Sequence, residues 1–220
     1  MPLLHFLDIA PPVAHRLPMK TKFESYRILL TRLVAGIFLF FFITTQSYWE
    51  TANEIVSFIL FLIGIVLVAI SSLGRMWCSL YIAGYKDKML ITQGPYSLCR
   101  NPLYFFSLVG TIGVGCATET FTFPVVFFVI FVSYYGFIIR KEEARLRELF
   151  GETFDQYMKA VPAFFPRRAG FTEPSTYQVT PKAYRRNLMS ALWFIWIVGI
   201  LEVIEGLKEI GLFKSLWTLF

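Results

Sequence analysis

Apolar residues in this chain come in long runs, not in the two-residue alternation of half-buried strands or the single stripe of a soluble amphipathic helix. Between positions 28 and 74 the only charged residues are Arg32, Glu50 and Glu54. Between 101 and 139 the only one is Glu119. A membrane-crossing helix needs about 20 mostly apolar residues, so each window has room for two. The pattern predicts spans at 27–48, 55–73, 102–117 and 121–139, with apolar character running past the second as far as Tyr85. A polar connector, 86–100, follows that second stretch, and its Gly94-Pro95 step predicts a helix end and a turn. Pro102 suits the first turn of the third span. Glu119 and its neighbouring threonines predict a short hairpin before the fourth.

After the fourth span the pattern changes. Residues 140–159 read as a charged helix, which Gly151 breaks, and 161–186 as a basic, proline-containing stretch. Residues 187–201 are apolar again, up to Glu202 and Glu205. We read this last stretch as a fifth span; a helix lying in the membrane interface is the alternative, because glutamates in a spanning helix are costly unless they face protein or water. The expected fold class is all-α, a polytopic membrane helix bundle of about five transmembrane helices, with a cytoplasmic amphipathic helix and a C-terminal cofactor-binding region. The expected divisions are an interfacial N-terminal segment (1–26), a first hairpin (27–74), a core (75–166) and a basic loop with a hydrophobic helix (167–220).

Composition supports the membrane reading. Of 220 residues 56% are hydrophobic and only 16% charged, against about 25% in an ordinary soluble domain. The net charge of +6 predicts an orientation rather than a nucleic-acid partner. Arg16, Lys20, Lys22 and Arg27 precede the first span, Arg75, Lys86, Lys88 and Arg100 surround the connector, and ten Lys and Arg lie between 140 and 186. The two intervening loops have none. This alternation puts the N-terminus, the connector and the region after the fourth span on the cytoplasmic side. No basic patch interleaved with aromatics points to nucleic acid. Cys78, Cys99 and Cys116 form no CxxC pair and have no histidine at ligand spacing, so they read as small apolar fillers and no metal is expected. No cleavable signal peptide is expected at the N-terminus.

Two polar clusters carry the candidate chemistry. The first, 93–104, leads into the third span and contains Tyr96, Arg100, Asn101, Pro102 and Tyr104; the second, 140–146, leaves the fourth span and contains Glu142 and Glu143. A tight hairpin between those spans must bring the clusters together at one membrane face. At about 100° per residue, Glu142 shares an arc with Leu146 and Leu149 and points inward, toward a ligand ammonium or Arg100. Glu143 is rotated away and is expected to pair with Arg147.

The ordered set Gly94-Pro95-Tyr96, Arg100-Asn101-Pro102-Leu103-Tyr104, Glu142-Glu143, Phe150-Gly151, Phe154, Tyr157 and Val161-Pro162-Ala163-Phe164-Phe165-Pro166 resembles the integral-membrane isoprenylcysteine carboxyl methyltransferase and phospholipid methyltransferase family. The resemblance covers about 75–166. It implies S-adenosylmethionine as cofactor, with Tyr96, Arg100, Asn101, Pro102, Tyr104, Glu142 and Glu143 around it. Arg100, Asn101, Tyr104 and Glu142 are the residues it implies for catalysis. Asn101 stands where the family often has His, and Phe106 where Gly is common, which predicts that Phe106 narrows the space beside the cofactor. The implied function is methylation of a lipophilic acceptor entering from the bilayer, foremost carboxyl O-methylation of an isoprenylcysteine-like molecule. Phospholipid (ethanolamine) N-methylation, small-thiol S-methylation, an NADPH-dependent sterol-reductase-like activity and a non-catalytic scaffold are the alternatives. His5 and His15 are the only histidines, so a neutral imidazole base is not expected in the core, which favours an acceptor that is already anionic. Other membrane lipids are the remaining expected partners, with Arg167 and Arg168 as candidate contacts for an anionic head group.

Overall fold

The structure, a computed structural model, describes residues 22–85, 88–167, 170–213 and 215–220. The expectations for most of the interfacial N-terminal segment, for His5 and His15 and for Arg168 lie outside the described residues. Helix α1 (Lys22–Thr44) leads through the three-residue strand β1 (Thr45–Ser47) and the short helix α2 (Tyr48–Ala52) into α3 (Glu54–Ile82). Asn53 starts α3 by accepting from the Ile55 and Val56 amides at 3.1 and 3.3 Å, which satisfies two of the donors that every helix start leaves open. The single turn α4 (Pro95–Leu98) then precedes α5 (Pro102–Cys116), and both begin on proline. Helix α6 (Thr122–Ala160) follows, then α7 (Pro181–Ala191), α8 (Trp193–Glu209) and strand β2 (Trp217–Leu219).

Three stretches are long and apolar enough to cross a membrane, Glu54–Ile82, Thr122–Ala160 and Pro181–Glu209. Two apolar helical stretches are shorter, Arg32–Thr44 and Pro102–Cys116. Among the described residues three stretches therefore meet both the length and the hydropathy of a span, and the expected count of five is not established by these criteria. The 15 residues of α5 rise about 22 Å, short of a hydrocarbon core of about 30 Å. The charged helix expected after the fourth span is not a separate element. It continues α6 without a break until Gly151, whose φ of 52° and ψ of −127° turn the last segment back. This is a conformation that glycine adopts at little cost.

Small residues join α3 to α5. A Cβ on Gly64 would lie 2.5 Å from the backbone nitrogen of Ala117, and one on Gly113 would lie 2.9 Å from the carbonyl oxygen of Gly64. The two backbones touch there, as in membrane bundles whose affinity comes from close packing rather than from hydrophobicity. About two turns nearer the connector, Ser71 Oγ donates to the Phe106 carbonyl at 2.6 Å. Helix α1 packs through Phe38 against the rings of Phe123 and Phe127 on α6, with centroids 5.1 and 4.9 Å apart. The exposed surface of α1, α3, α6 and α8 is rich in large apolar side chains, among them Phe40, Phe58, Leu73, Val125, Trp196 and Val203. That is the surface of a protein solvated by lipid. Trp193 and Trp196 of the last apolar stretch are exposed in the same way.

The far end of the bundle is closed by a parallel pairing of β1 with β2. Strands were not expected in an all-α chain. They form because the backbone leaving α1 has unsatisfied polar groups at the end of an apolar helix, and the chain's last residues supply partners. Leu216 N donates to the Thr44 carbonyl at 2.7 Å, and the Phe220 carbonyl accepts from the amides of Phe121 and Thr122 at 3.0 and 2.8 Å.

Candidate functional site

At the opposite end, α3, α5, α6 and the 89–104 connector enclose a cavity of about 420 Å³. All seven residues singled out in the sequence, Tyr96, Arg100, Asn101, Pro102, Tyr104, Glu142 and Glu143, line it. The two polar clusters meet directly: Arg100 Nε donates to Glu143 Oε1 at 2.9 Å, and Asn101 Nδ2 donates to the same oxygen at 3.0 Å. This corrects the expected division of labour between the glutamates. Glu143 does not pair with Arg147, which bonds Asp155 at 2.7 Å instead. The turn at Gly151 folds 152–160 back along α6 and brings Asp155 within reach, which single-helix phase does not capture.

Arg100 is used up by the protein. Its Nη1 donates to the carbonyls of Met158 and Val161 at 3.0 and 2.7 Å, and its own amide donates to the Pro162 carbonyl at 2.9 Å. Asn101 Nδ2 also reaches the Ala163 carbonyl at 3.0 Å. Together these bonds satisfy the open carbonyls at the end of α6 and clamp the Val161–Pro166 segment to the connector. Tyr157 Oη adds a bond to the Tyr96 carbonyl at 2.6 Å. The chain beyond the clamp closes over the connector: Gly94 N donates to Thr172 O at 2.8 Å, and Thr172 N donates to Ser97 Oγ at 3.1 Å. Tyr81 Oη donates to Glu173 at 2.7 Å. Gly94 holds a φ of 60°, and a Cβ there would meet the Tyr81 ring at 2.3 Å, so this turn accepts no side chain.

Against this network, some groups remain unspent. Glu142 lines the cavity and makes no ion pair or hydrogen bond among the described residues. Tyr96 Oη is buried without a hydrogen-bond partner. Burial, reinforced by Cys78 and Tyr157, holds the Tyr96 phenol far above its ordinary value, so it stays a neutral donor. Burial likewise pushes the Cys99 thiol up to about 12. All three cysteines are buried and unpaired, in keeping with a packing role. A buried polar atom without a partner is rare and points to a ligand or an ordered water.

Sequence reasoning missed other lining residues, Arg75 and Ser107 on the membrane side and Tyr134, Tyr135 and Ile138 on α6; Phe154 and Tyr157, named in the motif set without a place in the site, line it after the bend. The stripe through Glu142 and Leu146, continued backwards by helical spacing, would have found Ile138 and Tyr135. A charge at membrane depth would have flagged Arg75. Phe106, expected to narrow the cavity, does not line it. Its ring covers Gly74 on α3, where a Cβ would stand 2.2 Å from it. Arg167 is directed to the Ala160 carbonyl at 3.2 Å.

The phospholipid methyltransferase family profile matches residues 52–153, which include most of this cavity. The chain is 36% identical to the nickel-cobalt-cadmium resistance protein NccN of Alcaligenes xylosoxydans xylosoxydans, across 90% of this chain and 92% of that one. It is 34% identical to the cobalt-zinc-cadmium resistance protein CzcN of Cupriavidus metallidurans, across 88% of each. A shorter match, 31% identity over 37% of this chain and 34% of the other, is to the protein-S-isoprenylcysteine O-methyltransferase of Schizosaccharomyces pombe. No solved structure matches significantly.

Proposed function

Because this chain belongs to the integral-membrane methyltransferase family of the phospholipid and isoprenylcysteine enzymes, we propose that its cavity binds S-adenosylmethionine and transfers the methyl group to a lipophilic acceptor. The observation that carries this is the clamp itself. Arg100 and Asn101 hold Glu143 in place, which leaves Glu142 lining the cavity without a partner among the described residues; Tyr96 lines it too, and its buried Oη has no partner there either. Those groups fit the donor. A free carboxylate suits an ammonium, an orphaned phenol suits a polar atom of the nucleoside, and the tyrosines around them suit a sulfonium. The size is within the range of small-molecule sites.

When bound, S-adenosylmethionine supplies an electrophilic methyl group on a positively charged sulfur. The chain's part is positional. Glu142 anchors the amino-acid end, Tyr96 donates to the nucleoside, and Tyr104, Tyr134, Tyr135 and Tyr157 form a wall that excludes water. In-line displacement needs the nucleophile held at near-attack distance, which a rigid walled cavity provides. Tyr135 stacks on Phe131 with centroids 4.0 Å apart and meets the tilted Tyr104 ring at 5.4 Å, so this part of the wall holds its shape. Arg100 and Asn101 act here as positioning residues through Glu143.

In this reading all five apolar helical stretches cross the bilayer, with the cavity at the cytoplasmic face where lysine and arginine are concentrated. The acceptor enters laterally, since its tail belongs in lipid. Carboxyl O-methylation of an isoprenylcysteine-like molecule is the favoured reaction; phospholipid N-methylation and small-thiol S-methylation follow it. A nicotinamide-dependent reduction is disfavoured because, of the two arginines lining the cavity, Arg100 is engaged by Glu143, and Arg75 alone makes no basic cluster for a 2′-phosphate among the described residues. The relatives' metal-resistance names give no reaction. Among the described residues no group of three or more His, Cys, Asp or Glu is placed to hold a metal ion.

Calorimetry of the full chain with S-adenosylhomocysteine tests the site. Micromolar binding is expected, abolished by Glu142→Ala and by Tyr104→Ala. Unchanged binding in both variants refutes the assignment.

A further inference from the structure

Helices α7 and α8 run on as one helical stretch, because Leu192 N donates to the Leu188 carbonyl at 3.1 Å and Trp196 N to the Leu192 carbonyl at 3.2 Å. One face of the stretch is fixed to the bundle. Arg75 Nη2 donates to Ser190 Oγ at 3.2 Å, and Phe194 covers Gly110, where a Cβ would lie 3.0 Å from its ring. Ala191, Val198 and Leu201 are buried on the same side. The opposite face repeats at helical spacing: Lys182, Arg186, Met189, Trp193 and Trp196, with Arg185 beside Arg186, all of them exposed. This stripe is zoned. Three cations stand at the cavity end, then a thioether, then two indoles where the stretch turns wholly apolar. No Asp or Glu lies between Glu173 and Glu202, and Glu173 is taken by Tyr81 Oη. Lys182, Arg185 and Arg186 make no ion pair or hydrogen bond among the described residues. With Thr180, Ala183 and Met189 they border an open concavity of about 540 Å³.

We propose that this outer stripe is a binding site for an anionic phospholipid, separate from the cavity: the phosphate sits among Lys182, Arg185 and Arg186, and the acyl chains lie along Met189, Trp193 and Trp196. The inference holds whatever the donor and acceptor of the cavity are. The order of the groups carries it. Along the membrane normal a phospholipid presents an anionic head, an interfacial zone and then hydrocarbon. The stripe meets these with cations, indoles and aliphatic side chains in the same order. Paired arginines suit a phosphate because each guanidinium can donate to two of its oxygens. A second copy of the chain is the other occupant that an exposed stripe of this spacing suits. Copies in one bilayer share an orientation, so a two-fold pairing of stripes would set Arg185 and Arg186 against their own counterparts, and like charges so placed repel. A free phosphate would satisfy the cations and leave the indoles uncovered. A phospholipid satisfies both.

The test uses the full chain in detergent, titrated with phosphatidylglycerol or phosphatidylcholine of matched acyl chains, with bound lipid counted by native mass spectrometry. The wild type is expected to hold phosphatidylglycerol about tenfold to a hundredfold more tightly, since each interfacial cation is worth about fivefold. Arg185→Gln with Arg186→Gln is expected to cut that preference by about fivefold or more. Lys88→Gln with Lys159→Gln removes two other exposed cations of the chain and is expected to leave the preference within about twofold. Trp193→Ala with Trp196→Ala is expected to weaken the binding of both lipids. Glycerol 3-phosphate, a head group without tails, is expected not to displace phosphatidylglycerol at millimolar concentration. Equal affinity for the two lipids in the wild type, a measurement that needs no variant, overturns the proposal. Equal losses in the two cation variants overturn it as well, because they show a diffuse charge effect and no site. Displacement by glycerol 3-phosphate makes it a site for a free anion. A lipid-free dimer that Trp193→Ala with Trp196→Ala dissociates gives the stripe to a second copy.

Discussion

The two ends of the bundle treat their polar groups differently. At the far end, Glu119 meets its needs within the chain. Its carboxylate accepts from Ser57 Oγ, and its carbonyl accepts from Ser47 Oγ at 2.6 Å. Lys208 Nζ reaches the Thr45 carbonyl at 3.0 Å and lies 4.1 Å from the Phe42 ring centroid. The strand pairing and the Phe220 carbonyl satisfy the backbone there. At the cavity end an equally dense network stops short. Four buried polar side-chain atoms among the described residues have no partner, and two of them, Tyr96 Oη and Arg75 Nε, belong to cavity-lining residues. Ser72 Oγ on α3 and Trp49 Nε1 are the others; Trp49 lies at the closed end, where its Nε1 is the one buried side-chain polar atom among the described residues left without a partner. One end is cross-linked as a closure; the other is cross-linked as a frame around a space.

The contrast breaks most severely at Glu143. Glu143→Ala removes the acceptor shared by Arg100 and Asn101 and leaves a half-buried guanidinium without its counter-ion, an expected loss of about 3 kcal/mol. Donor binding should be lost with it, although Glu142 is intact. A thermal melt in detergent with calorimetry on the same sample checks both. Gly113→Leu attacks the α3–α5 contact that both ends share; a side chain cannot fit against the Gly64 carbonyl, and a cost of about 2–3 kcal/mol is expected from overpacking. That variant should lower the melting temperature while the Glu142-dependent ligand preference of the remaining folded protein is unchanged.

Removing residues 216–220 sharpens the comparison from the other side. It deletes β2 and the Phe220 contacts, so the melting temperature should fall while S-adenosylhomocysteine affinity stays within about twofold. A comparable loss of affinity would show that the two ends are coupled.

The smallest effect is expected at Glu119. Burial raises its carboxyl above the ordinary value, with Glu50 and Glu209 adding to the rise and the Ser57 hydrogen bond opposing it. A group raised in the folded state is more easily protonated there, so its contribution is present in acid and is lost as pH rises through the folded value. Glu119→Gln should therefore flatten the pH dependence of the melting temperature just above the ordinary carboxylate range. No flattening would mean that Ser57 alone balances the burial.

Much of this was legible in the order of residues. The apolar windows, the prolines that open α4 and α5, the break at Gly151 and the meeting of the 93–104 and 140–146 clusters all follow from local rules: hydropathy, helix termination and hairpin geometry. These rules act between near neighbours or through a single short turn. Three things needed the folded chain. Which glutamate takes Arg100 depended on the turn after Gly151, which carries Asp155 back to Arg147 and leaves Glu143 to the connector. The strand closure depended on residues more than a hundred positions apart in sequence meeting at one end. Which face of α7 and α8 turns outward depended on Arg75 and Gly110, which hold Ser190 and Phe194 on the other side. A sequence lists which groups carry charge. Only packing decides which of them find a partner inside the chain and which are left for something else to complete.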